Sequence, residues 1–257
     1  MAANRLKVIA FTFLALFTVS DSWALTLNDV IKKVESNYKN IVAFRGSFNQ
    51  TTTIKTLNKL QQGQGEIFYK KPNKIKWQYT SPMEQEIMSD GNTIWLYFPE
   101  NRQVYIYDLT DTFGQEAANQ GQIPGNFLSS LGDLKKEFDV KWGSPRDRDA
   151  QGNYIIELVP KRPIVNVRNM FLVVPKDIAS APSNIFPVLA SSVYDSYGNM
   201  TNIEFSDSSG ASTIEVLETA GETVAAKKRA WTLPDTMFTY YPPANVEIIK
   251  PPLTRSK

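Results

Sequence analysis

The chain contains no cysteine and no histidine among its 257 residues. Without cysteine no disulfide can form, so the fold must be held by its core and its hydrogen bonds alone, and thiol chemistry is excluded. No cysteine is present to receive a lipid, so anchoring by that route is not expected. Without histidine the commonest general base and the commonest metal ligand are missing, which excludes His-dependent triads and the usual zinc sites. An excess of charge of one sign is lacking too. The 28 basic and 26 acidic residues leave a net charge of +2, which gives no footprint for a nucleic-acid partner.

Beyond the first two dozen residues there is no long apolar run. At the N-terminus, Arg5 and Lys7 form a basic start, Val8 to Val19 an apolar stretch, and Ser22-Trp23-Ala24 a small-x-small site. The stretch is well short of the roughly 20 residues a spanning helix needs. Residues 1–24 therefore read as a signal peptide cleaved after Ala24, followed by a soluble secreted domain over 25–250 and a tail over 251–257.

What is present is aromatic and β-prone: 12% of residues are aromatic. In Gln61 to Leu109, Ile75, Trp77 and Tyr79 share one face of a strand, with Lys74, Lys76, Gln78 and Thr80 on the other. Lys71-Pro72-Asn73 and Thr80-Ser81-Pro82 close its ends, and Asp90-Gly91 suits a tight hairpin turn. Ile94 to Phe98 and Val104 to Tyr107 are apolar on both faces, so they need cover on both sides or one face looking into an apolar cavity.

The remainder follows the same grammar. Leu25 to Ile41 reads as an amphipathic helix with Leu27, Val30, Ile31, Val34, Tyr38 and Ile41 on one stripe. Thr26 and Asp29 form a capping-box pattern at its start. From Phe44 the period changes to two, with a loop expected near Leu57–Gln62. Further strands are expected at Phe138–Trp142, Tyr154–Val159, Val165–Val174, Ser191–Asp195 and Met200–Phe205, with turns at Gly152-Asn153 and Tyr197-Gly198-Asn199. A second apolar stripe of Phe127, Leu128, Leu131 and Leu134 predicts a helix between Pro124 and Lys136. Ser206–Ala230 is polar with a possible strand at Thr213–Leu217, and Val246–Ile249 is a last apolar run. Ten or so short strands suggest an antiparallel barrel or strongly curved sheet. The two helices read equally as core helices or as a lid over it.

Searches for chemistry fail. Asp147, Asp149, Gln151 and Gly152 imitate the start of a calcium loop, but Leu158 stands where its bidentate Glu belongs, leaving a hairpin turn. Gly63-x-Gly65 lacks the Lys-Ser/Thr of a phosphate loop and reads as a strand bend or close backbone approach. Glu84 and Glu86 are expected to face solvent. Nothing assembles an active site, so the chain does not read as an enzyme, and no cofactor or metal is expected.

Several short motifs, in order, resemble the periplasmic outer-membrane lipoprotein carrier family, LolA. They are Phe48-x-Gln50, Gly63-Gln64-Gly65, Lys71-Pro72, Lys76-Trp77, Ser89-Asp90-Gly91 with Trp95, Tyr97 and Pro99, Asp195-x-x-Gly198-Asn199, and the Leu233-Pro234-Asp235 ending with Phe238, Pro242 and Pro243. The resemblance implies a mainly β fold: an unclosed antiparallel β-barrel, or half-barrel, with α-helices as a lid over an apolar cavity. It implies a chaperone that shields lipoprotein acyl chains, takes its cargo from an inner-membrane lipoprotein-releasing ABC transporter and delivers it to an outer-membrane receptor, working as a monomer. The cavity would be lined by Ile75, Trp77, Tyr79, Ile94, Leu96 and Val104, and the lid built from Leu27, Val30, Ile31, Val34, Phe127, Leu128 and Leu131. Lys71 stands where the family carries the Arg of a lid latch, and Ser206–Ala230 is longer than the family pattern. A periplasmic sensor of lipid or lipoprotein with the same half-barrel is the alternative.

Overall fold

The computed structural model describes residues 25–109, 128, 130–164, 167–183, 185–206, 215–219 and 233–250. The chain begins with helix α1 (Leu27–Asn40). Thr26 caps it as the sequence requires: its hydroxyl accepts from the Asp29 amide at 3.3 Å, and the Asp29 carboxylate accepts from the Thr26 amide at 3.2 Å. Val30, Ile31, Val34 and Tyr38 form its buried stripe. The helix stops where β-branched Ile41 and Val42 take over, and the chain enters a strand with no intervening loop.

The strands are β1 (Ile41–Ile54), β2 (Lys59–Lys70), β3 (Lys74–Ser81), β4 (Gln85–Ser89), β5 (Thr93–Phe98), β6 (Gln103–Asp108), β7 (Phe138–Trp142), β8 (Tyr154–Pro160), β9 (Asn169–Val174), β10 (Ala190–Tyr194), β11 (Met200–Ser206), β12 (Glu215–Thr219) and β13 (Glu247–Ile249). A one-turn helix, α2 (Leu134–Glu137), precedes β7. All belong to one sheet in the order β13-β6-β5-β4-β3-β2-β1-β11-β10-β9-β8-β7, with β12 also on β1. Every pairing is antiparallel except β13 on β6. β7 and β13 stand at opposite ends and do not pair, so the barrel is unclosed. β1 is the hub: it pairs with β2 from Ala43 to Ile54, while its other edge meets β12 over Ile41–Arg45 and β11 over Ser47–Thr53.

One face of the sheet carries the main core. Phe44 and Phe48 of β1, Ile67 and Tyr69 of β2, Trp77 of β3, and Ile203 and Phe205 of β11 point to the side where α1, Leu128, Leu131 and Leu134 lie. Asn37, fully buried, ties α1 to the far half by donating to the carbonyls of Pro182 (3.2 Å) and Ile185 (3.4 Å). The opposite face has a smaller core, in which Ala43 and Phe68 meet Leu233 and Phe238. Lys70 donates to the Leu233 carbonyl at 2.9 Å, and Asp235 pairs with Lys74 at 2.7 Å. Farther along, the Tyr240 ring lies 4.9 Å from Tyr97 and β13 adds to β6. The C-terminal segment is thus the outer cover that the two-sided apolar runs of β5 and β6 demand.

Several expectations need correction. The predicted helix between Pro124 and Lys136 is, among the described residues, only α2; Leu131 donates to Leu128 and Asp133 to Ser130, three-residue turns, before it starts. The apolar spacing satisfied one continuous helix, but Gly132 lowers helical stability there; Leu128 and Leu131 reach the core from 3-10 and turn backbone, and Leu134 from the first residue of α2. The loop expected at Leu57–Gln62 is mostly strand: β2 begins at Lys59, and polar Gln61 and Gln62 pair with β1 although both their faces are wet, so no alternation marks them. β9 starts at Asn169 rather than Val165, and the late strand is Glu215–Thr219 rather than Thr213–Leu217. Glu86 does not simply face solvent; it pairs with Lys76 at 3.1 Å. The signal peptide, the basic triplet at Lys227–Arg229, Phe127 and the 251–257 tail lie outside the described residues.

The false calcium loop is half of a repeated device. Asp149 and Asp195 each open a five-residue Asp-x-x-Gly-Asn turn. In both, one carboxylate oxygen accepts from the amides two and four residues on at 2.8–2.9 Å, the other accepts from the Asn side chain, and the glycine sits at φ +84 to +85. Those carboxylates organise turns rather than bind metal.

Gly65 confirms the expected close approach. A β-carbon there would lie 1.9 Å from the Gln78 carbonyl oxygen and 2.9 Å from the Tyr79 Cα, at an irregularity in the β2–β3 register. Gly65→Ala is expected to destabilise the protein by about 3 kcal/mol, because backbone rather than a flexible side chain must give way; denaturant unfolding measures it.

Candidate functional site

The register builds the site. Pairing of β3 with β4, β4 with β5 and β5 with β6 aligns Trp77, Ile87, Leu96 and Tyr105 in one row across the inner face, and Ile75, Ser89, Ile94 and Tyr107 in the next. Tyr79 pairs with Gln85, and Phe98 with Gln103, at the row nearest the β3–β4 and β5–β6 turns. Between β4 and β6 this face leaves an open groove of about 460 Å³. Leu96, Phe98, Tyr105 and Tyr107 supply its apolar walls, and Gln85 and Gln103 its polar fringe. Its volume falls within the range of roughly 300–1,000 Å³ typical of small-molecule sites.

From the groove inward runs a chain of rings. Phe48 meets Tyr79 (4.9 Å) and Trp77 (4.6 Å) edge-on, Trp77 reaches Phe205 (6.4 Å), and Phe205, Phe186, Phe44 and Tyr69 follow at 4.4–5.8 Å. Edge-on pairs of this kind add about 0.5–1.5 kcal/mol beyond area burial. The Trp77 indole N–H is buried without a hydrogen-bond partner, and the Tyr79 hydroxyl donates to the Gln50 amide oxygen at 2.8 Å. Burial pushes the Tyr79 hydroxyl above the ordinary tyrosine value, because its anion would lose water.

At the other end of α1, Lys71 reaches from the β2–β3 turn. Its ammonium donates to the Tyr38 carbonyl at 2.5 Å and the Lys39 carbonyl at 3.2 Å, and lies 4.5 Å from the centre of the Tyr38 ring. These are last-turn carbonyls, where a cation complements the helix dipole; the Tyr38 carbonyl also accepts from the Ile41 amide at the C-cap. The Tyr38 hydroxyl donates to the Tyr69 hydroxyl at 2.5 Å, which donates to the Pro72 carbonyl at 3.1 Å. Burial lowers the Lys71 pKa, and the nearby Lys39 charge lowers it further. α1 is also tied to the Leu131–Glu137 stretch: Lys39 pairs with Asp133 at 3.2 Å, and Lys135 bonds Asn28 and Glu35.

Of the residues singled out in the sequence, Ile75, Trp77, Tyr79, Ile94 and Leu96 share the inner face, and Leu27, Val30, Ile31, Val34, Leu128 and Leu131 pack against the same core. Val104 does not join them. It is fully buried, but it pairs with Tyr97, one step out of phase with the Leu96–Tyr105 pair, so it belongs to the outer face under the C-terminal segment. The residues that do line the groove from β6 are Tyr105 and Tyr107. Their spacing of two was visible in the sequence, but choosing between the two faces of an all-apolar strand requires the register. Among the described residues no three acidic side chains converge as a metal site would need.

The profile of the family described as outer membrane lipoprotein carrier protein LolA matches residues 39–215. The chain belongs to this family. Similar proteins include an outer-membrane lipoprotein carrier protein of Methylobacillus flagellatus, 25% identical over 178 residues, which is 69% of this chain and 77% of the relative. One of Serratia proteamaculans is 40% identical over 78 residues, 30% of this chain and 38% of the relative. The chain spans 48% of another such relative, from Alkalilimnicola ehrlichii. Among solved structures, a LolA superfamily protein from Nitrosomonas europaea is 13% identical with a TM-score of 0.41, covering 84% of this chain and 99% of that one.

Lys71→Met is expected to lower stability by about 1–2 kcal/mol and to speed hydrogen exchange in α1 selectively, because two charge-assisted bonds to its last turn are lost. Lys71→Arg keeps a cation within reach of the same carbonyls and should recover most of the loss. A second expectation concerns alkali. Burial raises the hydroxyls of Tyr38, Tyr69 and Tyr79 above the ordinary 10. The unfolded chain therefore releases these protons first, and stability present below pH 10 falls as pH rises past it. Lys71, whose folded value is depressed, works in the opposite direction as pH climbs to 10.5. Three groups against one make the net change a loss, measurable as a falling denaturation midpoint above pH 10.

Proposed function

We propose that this protein is a periplasmic carrier that binds the acyl chains of lipoproteins released from the inner membrane and delivers them to an outer-membrane receptor. Membership of the lipoprotein carrier family is the observation that carries this reading, and the groove gives it a physical place. Acyl chains cannot cross an aqueous space bare, since each exposed methylene costs about 0.8 kcal/mol. A partly open groove walled by Leu96, Phe98, Tyr105 and Tyr107 offers them a first apolar contact. Behind it, the core between the sheet and α1 is the space into which they would extend.

In the structure that space is occupied by the protein itself: Val30, Ile31, Val34, Leu128 and Leu131 are buried on the ring chain of Trp77, Phe48 and Phe44. On the proposed reading α1 and the 128–137 stretch act as the lid, and cargo displaces their contacts rather than filling a void. Opening then offsets much of the burial gained, which keeps the complex releasable. Lys71 acts as the latch at the Tyr38 and Lys39 carbonyls. An inner-membrane ABC transporter would supply the cargo. The groove binds without chemistry, so the protein works as a chaperone rather than an enzyme.

Tyr105→Glu places a charge on the groove wall at a half-buried position without emptying the closed core. It is expected to leave secretion and folding intact and to reduce copurifying acylated lipoprotein, seen by native mass spectrometry, by about ten-fold or more. Undiminished cargo on the folded variant would sink the groove as the entry site. Depletion of the protein in its own cell separates carrier from sensor: a carrier's loss leaves lipoproteins at the inner membrane, whereas a sensor's loss leaves their sorting normal.

A further inference from the structure

Among the described residues, four of the six large apolar side chains left in water gather in one place; the other two, Tyr241 and Ile248, belong to the C-terminal segment. Leu57 (69% exposed), Leu60 (64%), Met83 (55%) and Tyr197 (72%) all lie at one end of the sheet, where the β1–β2, β3–β4 and β10–β11 connections turn. The β1–β2 hairpin is the most prominent of these. β3 accompanies β2 only as far as Gln64, so Lys59–Gly63 continues without a neighbour on that edge, and every side chain from Lys55 to Gln62 is exposed. The hairpin does not wave freely. The Lys55 amide donates to the Asn199 side chain at 3.0 Å, which joins its tip to the Tyr197 turn. Leu57, Leu60 and Tyr197 are therefore carried on two tips joined by a hydrogen bond.

The charge on the β1–β2 hairpin is of one sign. Between Glu35 and Glu66 the chain has no acidic residue, while Lys55 and Lys59 flank Leu57. The carboxylate on the neighbouring turn, Asp195, is engaged by the Tyr197 and Asn199 amides and the Asn199 side chain. Glu84 and Glu100 belong to more distant turns of the same end. Protruding leucines with lysines beside them and a tyrosine at the margin suit a soft, anionic, layered acceptor.

We propose that this double tip is a docking site for the surface of an anionic phospholipid bilayer. The leucines would enter the headgroup–acyl boundary, Lys55 and Lys59 would meet phosphates, and Tyr197 would sit at the interface. The groove between β4 and β6 reaches the same end, where Gln85, Phe98, Asn101 and Gln103 line it beside the turns. Docking by the tip would thus present the groove mouth to the bilayer at a point of loading or delivery. Two leucines and two lysines give reversible contact rather than anchoring.

The test needs no cargo, so its result is independent of the carrier reading. The mature chain is floated with vesicles of phosphatidylethanolamine and phosphatidylglycerol, and with vesicles of phosphatidylcholine alone. The expected result is flotation with the anionic vesicles that weakens with salt and falls about ten-fold or more in the Leu57→Glu/Leu60→Glu double variant, with unchanged thermal unfolding. Lys55→Gln/Lys59→Gln should remove the salt dependence, and Tyr105→Glu in the groove should leave flotation unchanged. Absence of flotation with either vesicle, or flotation that the Leu57/Leu60 variant leaves intact, overturns the proposal. So does a variant that blocks lipoprotein transfer when the native chain has no vesicle affinity, which would assign the tip to a protein acceptor.

Discussion

The constraint on which everything else depends is the aromatic inner face of an unclosed sheet. A closed small barrel can fill its interior with its own strands' side chains; a sheet that ends at β7 on one side and β13 on the other cannot. Phe44, Phe48, Tyr69, Trp77 and Phe205 must be covered by something that is not a strand. α1 and the leucines of the 128–134 stretch meet that need, and the position of nearly every other element follows. Asn37 fixes α1 to the far half, Lys71 holds its C-terminal turn, and the Lys39–Asp133 pair sets the leucine stretch beside it. The surface pair adds little by itself; the buried contacts decide the geometry.

How much of this was legible in the sequence depends on whether a face had to be chosen. α1 was readable because its stripe, its Thr26–Asp29 cap and the β-branched residues after it all agree. β4 (Gln85–Ser89) was not read as a strand, whereas β3 was readable because Ile75, Trp77 and Tyr79 alternate with lysines and polar residues, which leaves one possible inside. β5 and β6 were not, since both faces are apolar. Val104 was assigned to the inner wall, but the pairing of Leu96 with Tyr105 turns it outward, under a C-terminal segment some 130 residues away in sequence. Long-range cover of that kind leaves no local pattern. The predicted second helix failed for a related reason. Spacing of leucines reports which residues must reach the core, and short 3-10, turn and one-turn helical pieces can deliver them as well as one continuous helix can.

The two faces divide the labour. The outer face is covered by the C-terminal segment: Leu233 and Phe238 pack on Ala43 and Phe68, Tyr240 on Tyr97, and β13 extends the sheet beside β6, with Lys70, Lys74 and Asp235 fixing the crossing. The inner face is complete around Trp77 but stops short at β5 and β6, where Tyr105 and Tyr107 are only half covered. Apolar rings left part-wet beside a polar fringe are where an amphipathic ligand gains most on first contact, before any internal packing has to be given up.

That asymmetry bears on how a carrier of this kind balances uptake and release. A preformed greasy cavity would hold two or three acyl chains so tightly that handover would be slow, because affinity grows with every methylene buried. A core that is already packed makes cargo compete with the protein's own leucines and valines, and only the difference appears as binding. The ring chain suits that competition, since aromatic faces accept aliphatic neighbours of either origin with little change in their own positions. On the proposed reading, the balance lies in how nearly α1 with its leucine neighbours and the cargo match in the contacts they make with one shared aromatic wall, not in the size of an empty cavity.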